Sequence, residues 1–154
     1  MYSGATVCAA CNRREAFYFR RYSGEKLCKK CFVNSIEQRV RATISKYKML
    51  DFDDRIVVAV SGGKDSISLL HILTKLERNY AKASLIAVTV DEGIRGYRDE
   101  ALKIAAENCE KLGVKHYVFS FKELFDFSLD EIVDLQKKKG DDKTTPCALC
   151  GVLR

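Results

Sequence analysis

The chain has 154 residues, 47% hydrophobic and 31% charged, with one proline and seven cysteines. That is a globular composition, enough for one ordinary domain or for a small module plus part of a second, and it excludes fibrous and low-complexity chains. No apolar stretch reaches the roughly 18 residues of a membrane span, and Met1 to Cys8 lacks the basic and apolar regions of a secretory signal, so a cytoplasmic protein with no membrane partner is expected.

The net charge of +6 is uneven. Residues 1–50 hold eleven Lys or Arg against three Asp or Glu, a balance of +8, whereas residues 51–154 carry −2. A basic segment suggests a polyanion, nucleic acid above all, although charge alone is equally compatible with a solvated lysine-rich surface. In a reducing compartment seven cysteines point to metal ligation rather than disulfides.

In chain order, the first feature is Cys8-x-x-Cys11 and Cys28-x-x-Cys31, two pairs with sixteen residues between them. Each pair presents two thiolates on one tight turn, and two such turns complete a tetrahedral four-sulfur site for Zn²⁺. A site with four protein ligands has no open position, so this zinc is expected to be structural. About thirty residues bury too little apolar surface to fold alone, and metal binding would supply the difference. The aromatic stretch from Phe17 to Tyr22 and the Ser23-Gly24 turn predict a zinc-ribbon hairpin over residues 1–32. Phe32, Ile36, Val40, Ile44 and Tyr47 then recur at helical spacing. They predict a basic connecting helix over 33–50, its apolar stripe packed on the domain that follows and Arg39, Arg41, Lys46 and Lys48 turned mostly away from it.

Residues 51–154 alternate strand and helix patterns, which predicts an α/β fold with a parallel sheet. The apolar run Ile56 to Val60 predicts a strand covered on both faces. It enters Ser61-Gly-Gly-Lys-Asp-Ser66, and a helix leaves. Gly62 and Gly63 allow a sharp turn and close approach to a ligand. The helix start aims free N–H groups at that turn, so a phosphate is the expected guest. A Walker A loop is excluded, because Val58 stands where its first glycine belongs and Asp65 follows Lys64. The string Ser61 to Ser66 instead resembles the pyrophosphate-binding loop of the PP-loop ATP pyrophosphatases. That resemblance implies a Rossmann-like sheet, ATP bound with Mg²⁺, and cleavage between the α- and β-phosphates.

Ser84 to Asp91 predicts the next strand, and its carboxyl end, running into Gly93-Ile-Arg-Gly-Tyr-Arg98, should flank the nucleotide. A helix is predicted over 96–112 with Cys109 as a small core residue, stopped by Gly113, and a strand over 114–119 with His116 on its solvent side. His71 reads as a packing or surface residue. A further helix is predicted over 128–138, then a polar loop, then Pro146-Cys-Ala-Leu-Cys-Gly-Val-Leu-Arg154. The pair Cys147 and Cys150 cannot complete a four-ligand site alone, so it needs a third protein ligand or a redox role.

The paired cysteines, the Ser61–Ser66 loop, Gly-Ile-x-Gly-Tyr-Arg and Pro-Cys-x-x-Cys-Gly-Val-x-Arg, in that order, resemble the cytoplasmic tRNA uridine 2-thiolation proteins of the TtcA/TtuA family. The resemblance implies an ATP-dependent tRNA sulfurtransferase that adenylates the C2 carbonyl oxygen of a uridine, the wobble uridine by its ending, and replaces that oxygen with sulfur. It implies catalytic roles for Lys64, Asp65, Cys147 and Cys150. ATP contacts fall to Ala59, Ser61, Gly62, Gly63, Lys64, Asp65, Ser66, Val90, Gly151 and Arg154. Cys147 and Cys150 become two of three protein ligands of a 4Fe-4S cluster, with persulfide chemistry on either cysteine as the iron-free alternative. The partners implied are tRNA and a thiocarboxylated ubiquitin-like sulfur donor, with a homodimer or a heterodimer left open. The family's third cluster ligand and further strands lie beyond Arg154, so 51–154 reads as an incomplete PP-loop domain. Two alternatives stand beside this reading: another tRNA-modifying PP-loop pyrophosphatase, and a non-catalytic zinc-ribbon RNA-binding or scaffold module.

Overall fold

The computed structural model describes residues 6–51, 53–78, 82–96, 98–139 and 145–153. It divides into two compact units, Met1–Leu50 and Asp51–Arg154. Among the described residues no helix is long and apolar enough to cross a membrane.

The first unit is a hairpin and one helix built around cysteines. Strands β1 (Tyr18–Arg20) and β2 (Glu25–Leu27) pair antiparallel. Ser23 and Gly24 close the turn by donating to the Arg20 carbonyl. Helix α1 (Lys29–Tyr47) follows directly. Its expected stripe is recognisable, since Phe32, Ile36, Val40 and Ile44 are half-buried, but Tyr47 is exposed. The small core is Cys8, Leu27 and Cys28 with Cys11, Cys31 and Phe32 against it. Apolar area this limited contributes little stability on its own. Arg20 is buried beside it, and its guanidinium donates to Glu25 and to the Ser35 hydroxyl.

The second unit is a three-stranded parallel sheet in the order β3 (Arg55–Ala59), β4 (Ser84–Asp91), β5 (Lys115–Ser120). Helix α2 (Lys64–Glu77) connects the first two strands and α3 (Arg98–Leu112) the second two. Val58, Val60 and Ala87 of the sheet pack against Leu70, Ala105 and Cys109 of these helices. Both crossover helices thus lie on one face. This corrects the expectation of a strand covered on both sides: Val57 points the other way and is 59% exposed, and Tyr117 and Phe119 share that face. Strand composition alone does not distinguish a face that is covered from one that is merely apolar. Gly113 ends α3 as expected, at φ +69°, with Val114 N–H bonded to the Cys109 carbonyl in a Schellman turn.

His116 is a second correction. It pairs in register with Ala87 on the covered face, half-buried rather than turned to solvent. Its Nε2 lies 2.7 Å from the Thr89 hydroxyl, which itself donates to the Val60 carbonyl at 2.7 Å. A hydroxyl has one proton to give, so Nε2–H donates to Thr89. His71 matches its expectation, exposed on α2 and bonded to Asn108 at 3.1 Å.

Two elements were not foreseen. Helix α4 (Phe121–Phe125) starts with a complete capping box, Ser120 accepting from Glu123 N–H while the Glu123 carboxylate accepts from Ser120 N–H. The Ser-x-x-Glu spacing was its signal. Helix α5 (Leu129–Lys139) was expected, but α6 (Pro146–Leu153) makes a helix of the last cysteine pair. Thr145 caps it through its hydroxyl and Pro146 takes the first helical position.

Burial lowers the pKa of His116 from its ordinary value of 6.5. The unfolded chain therefore takes up a proton that the native ring resists. Stability of this unit should be insensitive to this group above pH about 6.5, fall as pH drops below it, and level off once the native ring also protonates. Urea unfolding at several pH values checks this, and H116Q should flatten the slope in that window.

Candidate functional site

The loop after β3 is organised by its own hydroxyls. Ser61 N–H and Ser61 Oγ both lie 3.2 Å from Ser66 Oγ, and Ser66 Oγ–H reaches the Gly63 carbonyl at 3.0 Å. Gly63 is the N-cap of α2, with no side chain capping it. The first intrahelical bond runs from Ile67 N–H to the Gly63 carbonyl. Lys64, Asp65 and Ser66 therefore keep backbone N–H groups without an intrahelical acceptor. With the positive end of the helix dipole, they form an anion cradle. The Lys64 and Asp65 side chains are exposed beside it.

Gly62 fixes how this loop meets α3. Its φ is +81°, and a Cβ there would overlap the Ala101 carbonyl oxygen and lie 2.8 Å from the Ala101 Cα. Backbone meets backbone, and only glycine permits it. The opposite wall of the cleft is held by a buried charge pair that sequence reasoning missed. Glu92, just past β4, and Arg98, the first residue of α3, are almost fully buried. Arg98 Nε lies 2.6 Å from Glu92 Oε2, a charge contact without the alignment of a hydrogen bond. The guanidinium also donates to the Val90 carbonyl. Strand end and helix start are thereby stapled together. The signal lay in the acid and base flanking Gly93–Gly96, but their mutual burial is a tertiary fact.

Between these walls is a cleft of about 540 Å³, lined among others by Gly62, Gly63, Ile94, Ala101 and Cys150. The structure thus brings Cys150 to the glycine loop across more than eighty intervening residues. Cys147, three positions earlier on α6, is exposed, and Ala59 at the end of β3 is also exposed. Val90 and Gly151 sit at the end of β4 and within α6, while Arg154 lies outside the described residues. Cys109 is buried in the core.

In the first unit the Sγ atoms of Cys8, Cys11, Cys28 and Cys31 all lie within 4.8 Å of one another. Metal–sulfur bonds of about 2.3 Å place tetrahedral sulfurs roughly 3.8 Å apart, so the spacing fits one ion held by all four. A cube of four irons carries one thiolate per iron and would hold the sulfurs farther apart. The bare thiols are electrostatically divided: the Cys28 backbone N–H helps draw Cys8 down to about 6, while Cys31, facing the Cys28 thiol, is pushed up to about 12. A cation among them would remove that conflict.

Two substitutions test the walls of the cleft. G62A should lower stability by about 2 kcal/mol or more, because neither φ nor the Ala101 backbone can give way. R98M should lower it by about 3–5 kcal/mol by removing the buried cation that faces the Glu92 carboxylate, and R98M/E92Q should recover part of that loss. Urea denaturation of the three variants measures both effects.

A family model for the PP-loop domain matches residues 33–134. The chain is 37% identical over 149 residues to a cytoplasmic tRNA 2-thiolation protein 1 of Chlamydomonas reinhardtii, covering 96% of this chain and 40% of that protein. It is 38% identical over 142 residues to a protein of Methanocaldococcus jannaschii named as a sulfurtransferase, covering 91% and 41% respectively. Its structure resembles that of the U34-tRNA thiolase NcsA from Methanococcus maripaludis, solved with its 4Fe-4S cluster, at TM-score 0.81 and 32% identity over 96% of this chain and 47% of that one. The chain spans about 40% of the length of these curated relatives. The strand, glycine loop and helix that build the anion cradle lie inside the matched segment, and the chain belongs to the PP-loop domain family.

Proposed function

We propose that this chain carries the ATP site of a cytoplasmic tRNA 2-thiolation enzyme. The substrate is a uridine, the wobble uridine in our reading, whose C2 oxygen is adenylated and then replaced by sulfur. One observation carries the reading: Cys150 and the glycine loop line the same cleft. A phosphate cradle alone serves many reactions. A cysteine beside it brings sulfur chemistry to the point where an activated carbonyl would form. The relatives named as tRNA 2-thiolation proteins, and the thiolase of similar structure, support the choice of substrate.

ATP lies with its polyphosphate along Ser61–Ser66. The free N–H groups of Lys64, Asp65 and Ser66, the two serine hydroxyls and the Lys64 ammonium face the charge that develops on departing pyrophosphate. Asp65 beside a polyphosphate requires a cation between them, which assigns it to Mg²⁺. The backbone near Val90 is assigned to the adenine edge, Ala59 and Gly151 to the remaining ATP contacts, and Arg154, outside the described residues, to a phosphate by the family resemblance alone. The uridine O2 attacks the α-phosphorus and the bond to pyrophosphate breaks. A sulfur nucleophile then attacks C2, the C2–O bond breaks, and AMP leaves with the oxygen.

Cys147 and Cys150 stand one turn apart on α6, an arrangement that fits two ligands of a 4Fe-4S cluster. Such a cluster would supply an open iron position for sulfide. The sulfur source in this reading is a thiocarboxylated ubiquitin-like protein. The four N-terminal cysteines fit Zn²⁺ as a structural ion, by their spacing and all-thiolate donor set.

D65A should slow tRNA-dependent pyrophosphate release by about 100-fold or more. C150S should retain ATP–pyrophosphate exchange yet form no 2-thiouridine, as read by mass spectrometry of digested tRNA. Exchange and thiolation lost together in C150S would place the cysteine in folding or ATP binding instead. Metal analysis should find zinc in the purified protein, lost in C28S along with the fold of the first unit.

A further inference from the structure

The hairpin of the first unit has two faces. Tyr18, Arg20 and Leu27 stand on one, where Leu27 joins the cysteine core and Arg20 reaches Ser35 of α1. Phe19 and Lys26 stand on the other, and Phe17, which precedes β1, sets its ring near those of Tyr18 and Phe32. Phe17 is 57% exposed and Phe19 52%. Neither ring belongs to the small cysteine core of this unit. The Phe17 ring is nevertheless held in place: it meets Phe32 edge-on at 6.1 Å, and Phe32 packs on the cysteine core.

Beside Phe17 is a groove of about 690 Å³ lined by Arg14, Glu15, Ala16, Phe17, Lys29 and Lys30. Three cations border it against one carboxylate. Lys29 Nζ lies 5.8 Å from the Phe17 ring centre, near the outer limit of a cation–π contact, so this ammonium is available to an anion. The groove sits within the segment that holds the chain's entire excess of positive charge.

We propose that this face binds single-stranded RNA, with an unpaired base stacked on Phe17 and the neighbouring phosphates on Lys29 and Lys30. An exposed, pre-positioned aromatic bordered by cations is what splayed bases and a polyanionic backbone together require. A duplex keeps its bases stacked and cannot use the ring. The site rests on the tRNA reading of the protein and assigns a contact for the unpaired part of that substrate.

The test is fluorescence titration of the intact protein with oligouridine and with an RNA duplex, across salt, without ATP or sulfur donor. F17L keeps an apolar side chain but cannot stack, and should weaken oligouridine binding roughly 5- to 100-fold with little effect on the duplex. F17W should restore binding. K29Q/K30Q should reduce the salt slope by about 1.4, two phosphate contacts at about 0.7 each. Zinc content and circular dichroism of each variant confirm that the unit is folded. Oligouridine binding unchanged in F17L, or a salt slope unchanged in the lysine pair, overturns the proposal and leaves the thiolation reading intact. Binding of a protein partner that tolerates F17L but not loss of apolar area would identify a protein-docking face and also overturn it. Failure of the parent protein to bind any RNA would remove the substrate reading itself.

Discussion

The approach of Gly62 to the Ala101 backbone is the constraint on which the second unit's site depends. A side chain at position 62 would push α3 away from the loop, widen the cleft and shift the Glu92–Arg98 staple that holds its far wall. The loop's own hydroxyl network sets its shape, but the contact with α3 sets its depth. The free N–H groups of Lys64, Asp65 and Ser66 gain their strength from being fixed before an anion arrives, because dipoles already aimed need no reorganisation. The chemistry therefore begins with the absence of a Cβ.

The two cysteine groups illustrate how one residue type serves different ends. Cys8, Cys11, Cys28 and Cys31 converge into a tight cluster with two members buried, a closed arrangement suited to holding a fold. Cys147, exposed, and Cys150, half-buried, lie one turn apart on α6, and Cys150 lines the cleft. Cys109 is buried and fills space between α3 and the sheet. Environment, not identity, separates the three settings.

Much of this was legible in the residues. The strand, turn and helix around Ser61–Ser66 follow from β-branched residues, a glycine pair and an apolar helical stripe in succession. Ser84–Asp91 emerged with the expected bounds because its apolar run is flanked by polar residues at both ends. The four-cysteine cluster followed from spacing alone. What escaped depended on distant residues. Whether the second face of the sheet is covered is decided by which side both crossover helices take, and Val57 carries no trace of that. His116 looked solvent-facing because its strand alternates weakly. Its burial depends on Thr89, twenty-seven residues earlier in the chain. The Glu92–Arg98 pair likewise reads as ordinary loop charge until folding encloses it.

In the proposed reaction the uridine oxygen itself becomes the leaving group attached to AMP. The most direct test is a tRNA carrying ¹⁸O at C2 of the target uridine, incubated with the enzyme, ATP and a sulfur donor, with mass analysis of the products. Adenylation of that oxygen predicts AMP bearing one ¹⁸O for each 2-thiouridine formed. Unlabelled AMP alongside 2-thiouridine, with the ¹⁸O recovered in water or pyrophosphate, would contradict it.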